Sequence, residues 1–525
     1  QVQMKKTILL SLAFLTAMGA GAQETFLNNY AIQTTDVIGS ARYVGMGGAL
    51  GALGADISCT SSNPAALGMF RRSTASITFG GIRQADSNTY GEKQTNFSFD
   101  QAGFVIAFPK FGDRGLKYMN FSVNYNKRNS LTHTFGVQNS GEDCSTMLNY
   151  VGGVWEAFPQ AEMVNPIVDD AIAAGLSGPF EVDYDYYATA LNNGNQFRRT
   201  ISGHTQEYNI NISGNVSDRY FFGFTVGVDV LRYTSDAVYD EFRTDKFDGR
   251  ELNFAASNSQ ELRGTGVNLK FGFIARPFQE SPFRVGLAIE TPTWYNITYS
   301  GKNDFTTHFR PETSYFPRYE YFAYTDGMTR YVMDASSLKY TLSTPWRFRV
   351  SIGHTFGTSL AVGAEYEYAD YSATKMGYPK SGTYYGARWT NSEPDRAMNS
   401  QTDKSLSGVH SFKVGAEFKP ISGFALRVGY NYYGASCKTN AFSDHAIDSY
   451  ATQFVTATDF MLLGNVNIIT FGVGYSANHF FADLAYKYRM QKADFYTYHD
   501  YYLAQTANKI NLDRHQLSLT LGVKF

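Results

Sequence analysis

The chain has 525 residues, with Lys+Arg 45 against Asp+Glu 47 and a net charge of −2. Neither a basic surface for nucleic acid nor an acidic solvating tail stands out. Aromatics reach 16%, charged residues only 18%, and Gly numbers 48, which excludes a helical bundle and suits a sheet protein with one face in something other than water. Three Cys, at 59, 144 and 437, exclude a disulfide scaffold and a CxxC-type zinc site.

Met4-Lys5-Lys6 is a basic n-region, Thr7 to Gly19 is apolar and small, and Ala20-Gly21-Ala22 fits an A-x-A cleavage site. The apolar run is short for a spanning anchor, so residues 1–22 read as a cleaved signal peptide and the chain is expected to be exported. No later stretch is apolar enough for a membrane-spanning helix.

The remaining chain alternates at period two. Leu517, Leu519, Leu521, Val523 and Phe525 interleave with Gln516, Ser518, Thr520, Gly522 and Lys524, one apolar face and one small polar face. We count fourteen such strands, near 73–81, 98–108, 117–128, 204–216, 220–239, 260–276, 283–300, 336–356, 359–372, 406–419, 424–436, 466–476, 479–490 and 513–525. The second face carries Arg284, Arg347, Arg349, Glu365, Glu367, Lys413 and Glu417. A soluble sandwich core could not hold these, whereas the lumen of a membrane barrel can. Links after even-numbered strands are short and links after odd-numbered ones are long, the longest at about 129–203. Short periplasmic turns and long extracellular loops alternate this way. The expected fold is all-β: a 14-stranded antiparallel transmembrane β-barrel over 73–525.

Residues 23–72 precede the first strand. They hold Gly45, Gly47 and Gly48 in a Gly-rich run, then Asp56, then Asn63-Pro64-Ala65. Leu50 stands where a dinucleotide fingerprint needs its third Gly, and no strand precedes the run. The segments 41–49, 54–58 and 63–65 resemble the N-terminal hatch of FadL-type outer-membrane transporters, which include long-chain fatty acid and toluene-uptake proteins, and look most like the variants common in Bacteroidetes. The resemblance implies a small hatch inside the lumen, with Gly45, Gly47, Gly48, Asp56, Asn63, Pro64 and Ala65 as hatch residues. It also implies passive movement of hydrophobic molecules from an outer groove, out sideways through a kinked strand. A related branch assists protein secretion, so the fold does not fix the cargo.

In the longest loop, Met147, Leu148, Val151, Val154, Trp155 and Phe158, then Ile167, Ala171, Ile172 and Leu176, fall at helical spacing after an Asn165-Pro166 start. Two apolar helices could pair over the mouth or line a groove, with Trp155, Phe158, Ile167 and Ile172 as the groove candidates. Arg347 and Arg349 are expected to join ion pairs that fill the lumen; the alternative is contact with a carboxylate head group. Cys59 reads as a small buried residue, and Cys144 with Cys437 is an open pairing. The nine His fall in no catalytic or metal-binding pattern, and no cofactor is implied. The expected role is an outer-membrane channel for passive uptake of fatty acid-like or aromatic compounds; the alternative is a non-transporting barrel that docks in a secretion or surface-assembly complex. Expected partners are outer-membrane lipid and lipopolysaccharide and a hydrophobic small molecule, for a monomer or one held in another outer-membrane complex.

Overall fold

The computed structural model of the chain describes residues 29, 32–34 and 36–525, apart from 86–94, 110–114, 140–190, 245–252, 309–328, 333–335, 385–386, 439–440, 442–448, 450, 452–458 and 498–506. The signal-peptide reading, the groove residues Trp155, Phe158, Ile167 and Ile172, and Cys144 lie outside the described residues.

Among the described residues the chain forms fourteen antiparallel strands. In order they are Thr74–Gln84, Thr95–Pro109, Leu116–Ser130 continued by His133–Asn139, Leu191–Val216, Tyr220–Thr244, Asn253–Ala275, Arg284–Glu290 with Trp294–His308, Ser336–Ser343 with Arg347–Phe356, Leu360–Asp370, Gly408–Phe418, Phe424–Tyr433, Phe460–Ser476, Phe480–Tyr496, and Arg514–Lys524. Each pairs with its successor, and the first pairs with the fourteenth from Thr74↔Lys524 to Gln84↔Arg514. The sheet therefore closes, as a spanning structure must.

The period-two pattern sorts the side chains. Leu517, Leu519, Leu521 and Val523 are exposed on the outside, and Gln516, Ser518 and Thr520 are buried inside. Higher up, the pattern inverts. On the fifth strand Tyr220, Phe222, Phe224 and Val228 face out while Thr225 and Asp229 face in. Beyond Val230 the outward residues turn largely polar, Arg232, Thr234 and Asp236 with Val238 and Phe242 among them, and the inward ones include Leu231, Tyr233, Ala237 and Tyr239. The sixth strand does the same, with Thr265 and Arg263 outward and Leu262 inward. The change of solvent marks the outer boundary of the bilayer. Roughly ten steps of about 3.3 Å between Tyr220 and Val230, tilted by about 40°, rise roughly 25 Å, the height of an outer-membrane apolar band. The chain is a bacterial outer-membrane β-barrel whose wall continues past the membrane as an apolar-lined collar.

Two strands break at that boundary. Thr291-Pro292-Thr293 interrupts the seventh and Thr344-Pro345-Trp346 the eighth. Proline cannot donate to a ladder, so it is tolerated in a sheet only at such a break. Threonine hydroxyls replace the missing bonds. Leu269 N–H donates to Thr291 Oγ1 at 3.0 Å, and Thr293 N–H donates to Thr344 Oγ1 at 2.8 Å. Trp294 and Trp346, both exposed, sit at the same level, where indole prefers the membrane interface.

Three features differ from the sequence reading. The longest link is shorter, because pairing runs up to Asn139 and resumes at Leu191. The ninth and tenth strands continue above the membrane as a hairpin, Lys375–Tyr384 with Ala387–Pro394, where Pro379 hid the strand pattern. A helix, Arg396–Ser405, then leads back into the wall; Asp395 caps it by accepting from Met398 N–H at 2.9 Å.

Val226→Arg is expected to cost about 2–4 kcal/mol, because it places a cation at mid-membrane. Val238→Arg, on the same face of the same strand but above the boundary, is expected to cost under about 1 kcal/mol. Urea titration of folding into lipid vesicles checks this, and equal costs would move the boundary.

Candidate functional site

The segment ahead of the first strand packs a small apolar cluster of Val37, Tyr43, Met46, Leu50, Leu53, Ile57 and Leu67, and polar caps set its turns. Ser40 caps the helix Ala41–Gly45, and its hydroxyl donates to both Asp56 carboxylate oxygens at 2.8 and 2.7 Å. Asp56 in turn caps Ile57–Ser61 by accepting from Ser58 N–H at 2.9 Å. Asn63 caps Pro64–Met69, accepting from Ala65 N–H at 3.1 Å, with Pro64 at the first helical position. Asp56, Asn63, Pro64 and Ala65 thus set the shape of this segment. Burial raises the Asp56 carboxyl above its usual range despite Arg42 and the Ser40 hydroxyl. Gly47 and Gly48 turn the chain with φ of +60° and +74°, a region that favours glycine.

The segment lies directly on the inner wall. Gly353, Gly363, Gly415 and Gly429 pair with one another across the eighth to eleventh strands. A Cβ on Gly363 would overlap the Ala49 carbonyl, one on Gly415 the Met46 carbonyl, and one on Gly429 the Gly47 nitrogen. Gly45 meets Gly472 in the same way. On the opposite side Pro64 and Ala65 press on Gly223, and Asn63 on Gly272. Backbone packs on backbone where side chains have been removed.

Beside this segment the lumen holds a lattice of buried charge. Arg128 donates to Asp229 at 3.0 Å and to Glu290 at 2.7 Å. Lys270 bonds Glu207 at 2.6 Å, Arg349 bonds Glu290 at 2.8 Å, and Arg347 bonds Glu367 at 2.9 Å. Four bases and four acids therefore face one another, which lets each stay buried. Arg347 and Arg349 sit within this lattice, and Arg347 also donates to the Gln33 carbonyl at 2.8 Å.

Asp36 ties the segment to both sides of the wall. Its carboxylate takes Lys487 at 3.0 Å and Arg514 at 2.6 Å, from the thirteenth and fourteenth strands. Its N–H donates to Arg128 O at 3.1 Å, at a bulge in the third strand. Burial alone would raise the Asp36 carboxyl, but Lys487, Arg514 and Arg489 together hold it below the usual carboxylate range.

Above the Asp36 clamp lies a cavity of about 160 Å³. Leu131, Ile201, Phe460, Leu463 and Val466 give it an apolar lining, and Arg347, Arg489, Arg514 and Glu367 give it charge. It reaches Ser130, Leu131 and His133, where the third strand is interrupted. There the wall is incomplete as a ladder. Pairing between the second and third strands ends at Gln101↔Asn126. Side chains take over: Lys127 Nζ donates to Ser98 Oγ at 2.6 Å, and Tyr125 hydroxyl donates to Phe99 O at 3.3 Å. Gln84 from the first strand acts as a surrogate strand, accepting from Thr134 N–H at 3.1 Å and donating to Thr134 O at 2.5 Å.

Sequence reasoning did not single out Asp36, Arg128, Lys487 or Arg514. Lys487 and Arg514 do occupy inward positions of alternating strands. Arg128 also continues the inward set of Asn120, Ser122, Asn124 and Asn126, and the bulge beside it buries Lys127 and Asn129 as well. Among the described residues no group of three His, Cys, Asp or Glu is placed to hold a metal ion. Cys59 is buried, and Cys437 is partly buried beside Leu406.

No family model matches the chain, and no curated protein matches its sequence. Solved structures do. A FadL homologue of Pseudomonas aeruginosa superposes with a TM-score of 0.52 at 13% identity, over 94% of this chain and 99% of that one. The toluene transporters TbuX of Ralstonia pickettii and TodX of Pseudomonas putida give TM-scores of 0.45 and 0.46 at 14% and 12% identity. They cover 93% and 94% of this chain and 99% of each of theirs.

Asp36→Asn leaves Lys487 buried without its anion, a loss of about 3–5 kcal/mol for a broken buried pair. Hydrogen exchange over residues 37–45 is expected to speed accordingly. In the native protein the depressed Asp36 contributes stability fully above the unfolded carboxylate value of about 3.9, and loses it only as pH falls toward the folded value. Exchange in this segment should therefore show no change attributable to Asp36 between pH 7 and 5.

Proposed function

We propose that this chain, which has the FadL-type outer-membrane fold, is a channel for passive uptake of hydrophobic compounds, fatty acid-like or aromatic. The observation that carries the reading is the inversion of the wall above the membrane. An aqueous pore has no use for Leu231, Tyr233, Leu262, Tyr295, Ile297 and Tyr340 packed on its inner face. A hydrophobic molecule leaving water is stabilised there by about 25 cal/mol for each Å² of apolar surface it buries. The collar cluster shares Tyr233, Tyr371, Val409 and Phe460 with the lining of the cavity beside Thr34, where the arginines suit a molecule with a polar or anionic end.

The route onward is sideways. The axis is occupied by the segment 36–70 and the charge lattice, and an apolar molecule crossing that lattice would strand buried ions. The side-chain-bridged gap between the second and third strands borders the cavity and opens toward the outer aromatic surface at Phe97, Phe99 and Tyr125. In this reading residues 23–72 act as a hatch, with Gly45, Gly47, Gly48, Asp56, Asn63, Pro64 and Ala65 holding its form. Arg347 and Arg349 set its electrostatic surroundings, and passage needs movement at the third strand rather than expulsion of the hatch.

Liposomes containing the protein are expected to take up a fluorescent fatty acid faster than empty liposomes. Val466→Trp, which fills the cavity, should abolish the difference while leaving the barrel folded. Equal uptake by protein-containing and empty liposomes would overturn the channel reading in favour of a docking barrel.

A further inference from the structure

The short-turn end of the barrel carries an asymmetric cluster of cations. Arg71 lies just ahead of the first strand, Lys117 at the start of the third, and Arg219, Arg276 and Arg284 around the turns at 217–219 and 276–283; among the described residues Asp218 is the carboxylate that pairs with Arg71 and Lys117. Asp218 sits in a tight turn with Ser217, both at positive φ of 53° and 56°. It is fixed there by Asn215, which donates to Oδ1 at 2.8 Å and accepts from Asp218 N–H at 3.0 Å. Lys117 reaches Asp218 at 2.7 Å and Arg71 at 3.2 Å, while Arg276 reaches its main-chain oxygen at 3.3 Å. Glu280, on the neighbouring turn, is exposed. Arg219 donates to Pro277 O at 3.3 Å and Arg284 to Leu53 O at 2.8 Å. The Nε groups of Arg219, Arg276 and Arg284 are buried and find no acceptor among the described residues.

A gathering of cations with Arg71 and Lys117 exposed calls for an anion with several oxygens. The neighbouring surface says which kind. The Arg219 guanidinium carbon lies 5.6 Å from the Tyr220 ring centre, and Tyr220, Phe222, Phe273 and Phe278 are exposed alongside it. This is the lower edge of the apolar band, where inner-leaflet phosphates meet the wall. We propose that this corner of the periplasmic rim binds the phosphate head group of an anionic glycerophospholipid, whose acyl chains lie along the adjoining aromatic surface. The inference is independent of transport.

The test is native mass spectrometry of the full-length protein released from micelles holding equal phosphatidylglycerol and phosphatidylethanolamine. The wild type is expected to keep phosphatidylglycerol preferentially. Arg219→Gln with Arg276→Gln is expected to lose that preference, by about fivefold for each cation removed. Lys419→Gln with Lys524→Gln, elsewhere on the rim, should retain it. Heat-modifiable migration on gels verifies folding; should the first pair fail it, Arg71→Gln with Lys117→Gln, at exposed positions, replaces it. No preference in the wild type, or equal loss in both pairs, would overturn the proposal. Displacement of the lipid by millimolar inorganic phosphate would assign the site to a soluble anion instead and overturn the lipid occupant.

Discussion

Hydrocarbon offers no partner to a peptide N–H or C=O, and the rest of this chain is arranged around that constraint. The ladder must close, so Thr74–Gln84 meets Arg514–Lys524 across almost the whole sequence. Once closed, the wall has an inside that lipid never touches. Polar and charged residues can collect there at densities a soluble core would not tolerate, provided they pair. The Arg128, Lys270, Arg347 and Arg349 lattice is the result, and it fills space that an open pore would leave to water.

Where the constraint lapses, the wall changes character. Above Val230 the outside is aqueous, the pattern inverts, and prolines appear in the seventh and eighth strands with threonine hydroxyls completing the bonds. Between the second and third strands, side chains of Gln84, Lys127 and Tyr125 stand in for backbone pairing. A wall closed by side chains can open by rotamer changes, while a wall closed by a ladder must break several backbone bonds together.

The strands were legible because lipid on one side and a packed lumen on the other impose alternation on nearly every residue from Phe424 to Tyr433 or from Arg514 to Lys524. The inversion was equally present in Leu231-Arg232-Tyr233-Thr234, but alternation alone does not say which face is which. The hairpin from Lys375 to Pro394 hid behind Pro379 and mixed polarity. Of the site, the caps at Asp56 and Asn63 lay in recognisable motifs. Asp36 did not, since its meaning comes from Lys487 and Arg514 some 450 residues away. Arg128 did not either: it stands on the inward face, but its partners Asp229 and Glu290 lie on the fifth and seventh strands.

The row from Gly353 to Gly429 has one more consequence. Ordinary interfaces freeze rotamers when they form and release them when they part, so each side chain adds an entropic term to docking and undocking. Here the wall brings few rotamers to freeze, because its glycines meet the main chain of Ala49, Met46 and Gly47 and the Leu53 side chain. The contact is stiff and gains little entropy on separation. Polar contacts then fix the position of the N-terminal segment, at Asp36, at Arg42 with Glu417, and along its length from Thr470 to Gly45 O and Asn120 to Leu67 O, so any displacement takes the form of a slide that exchanges these bonds, not a melting of the interface.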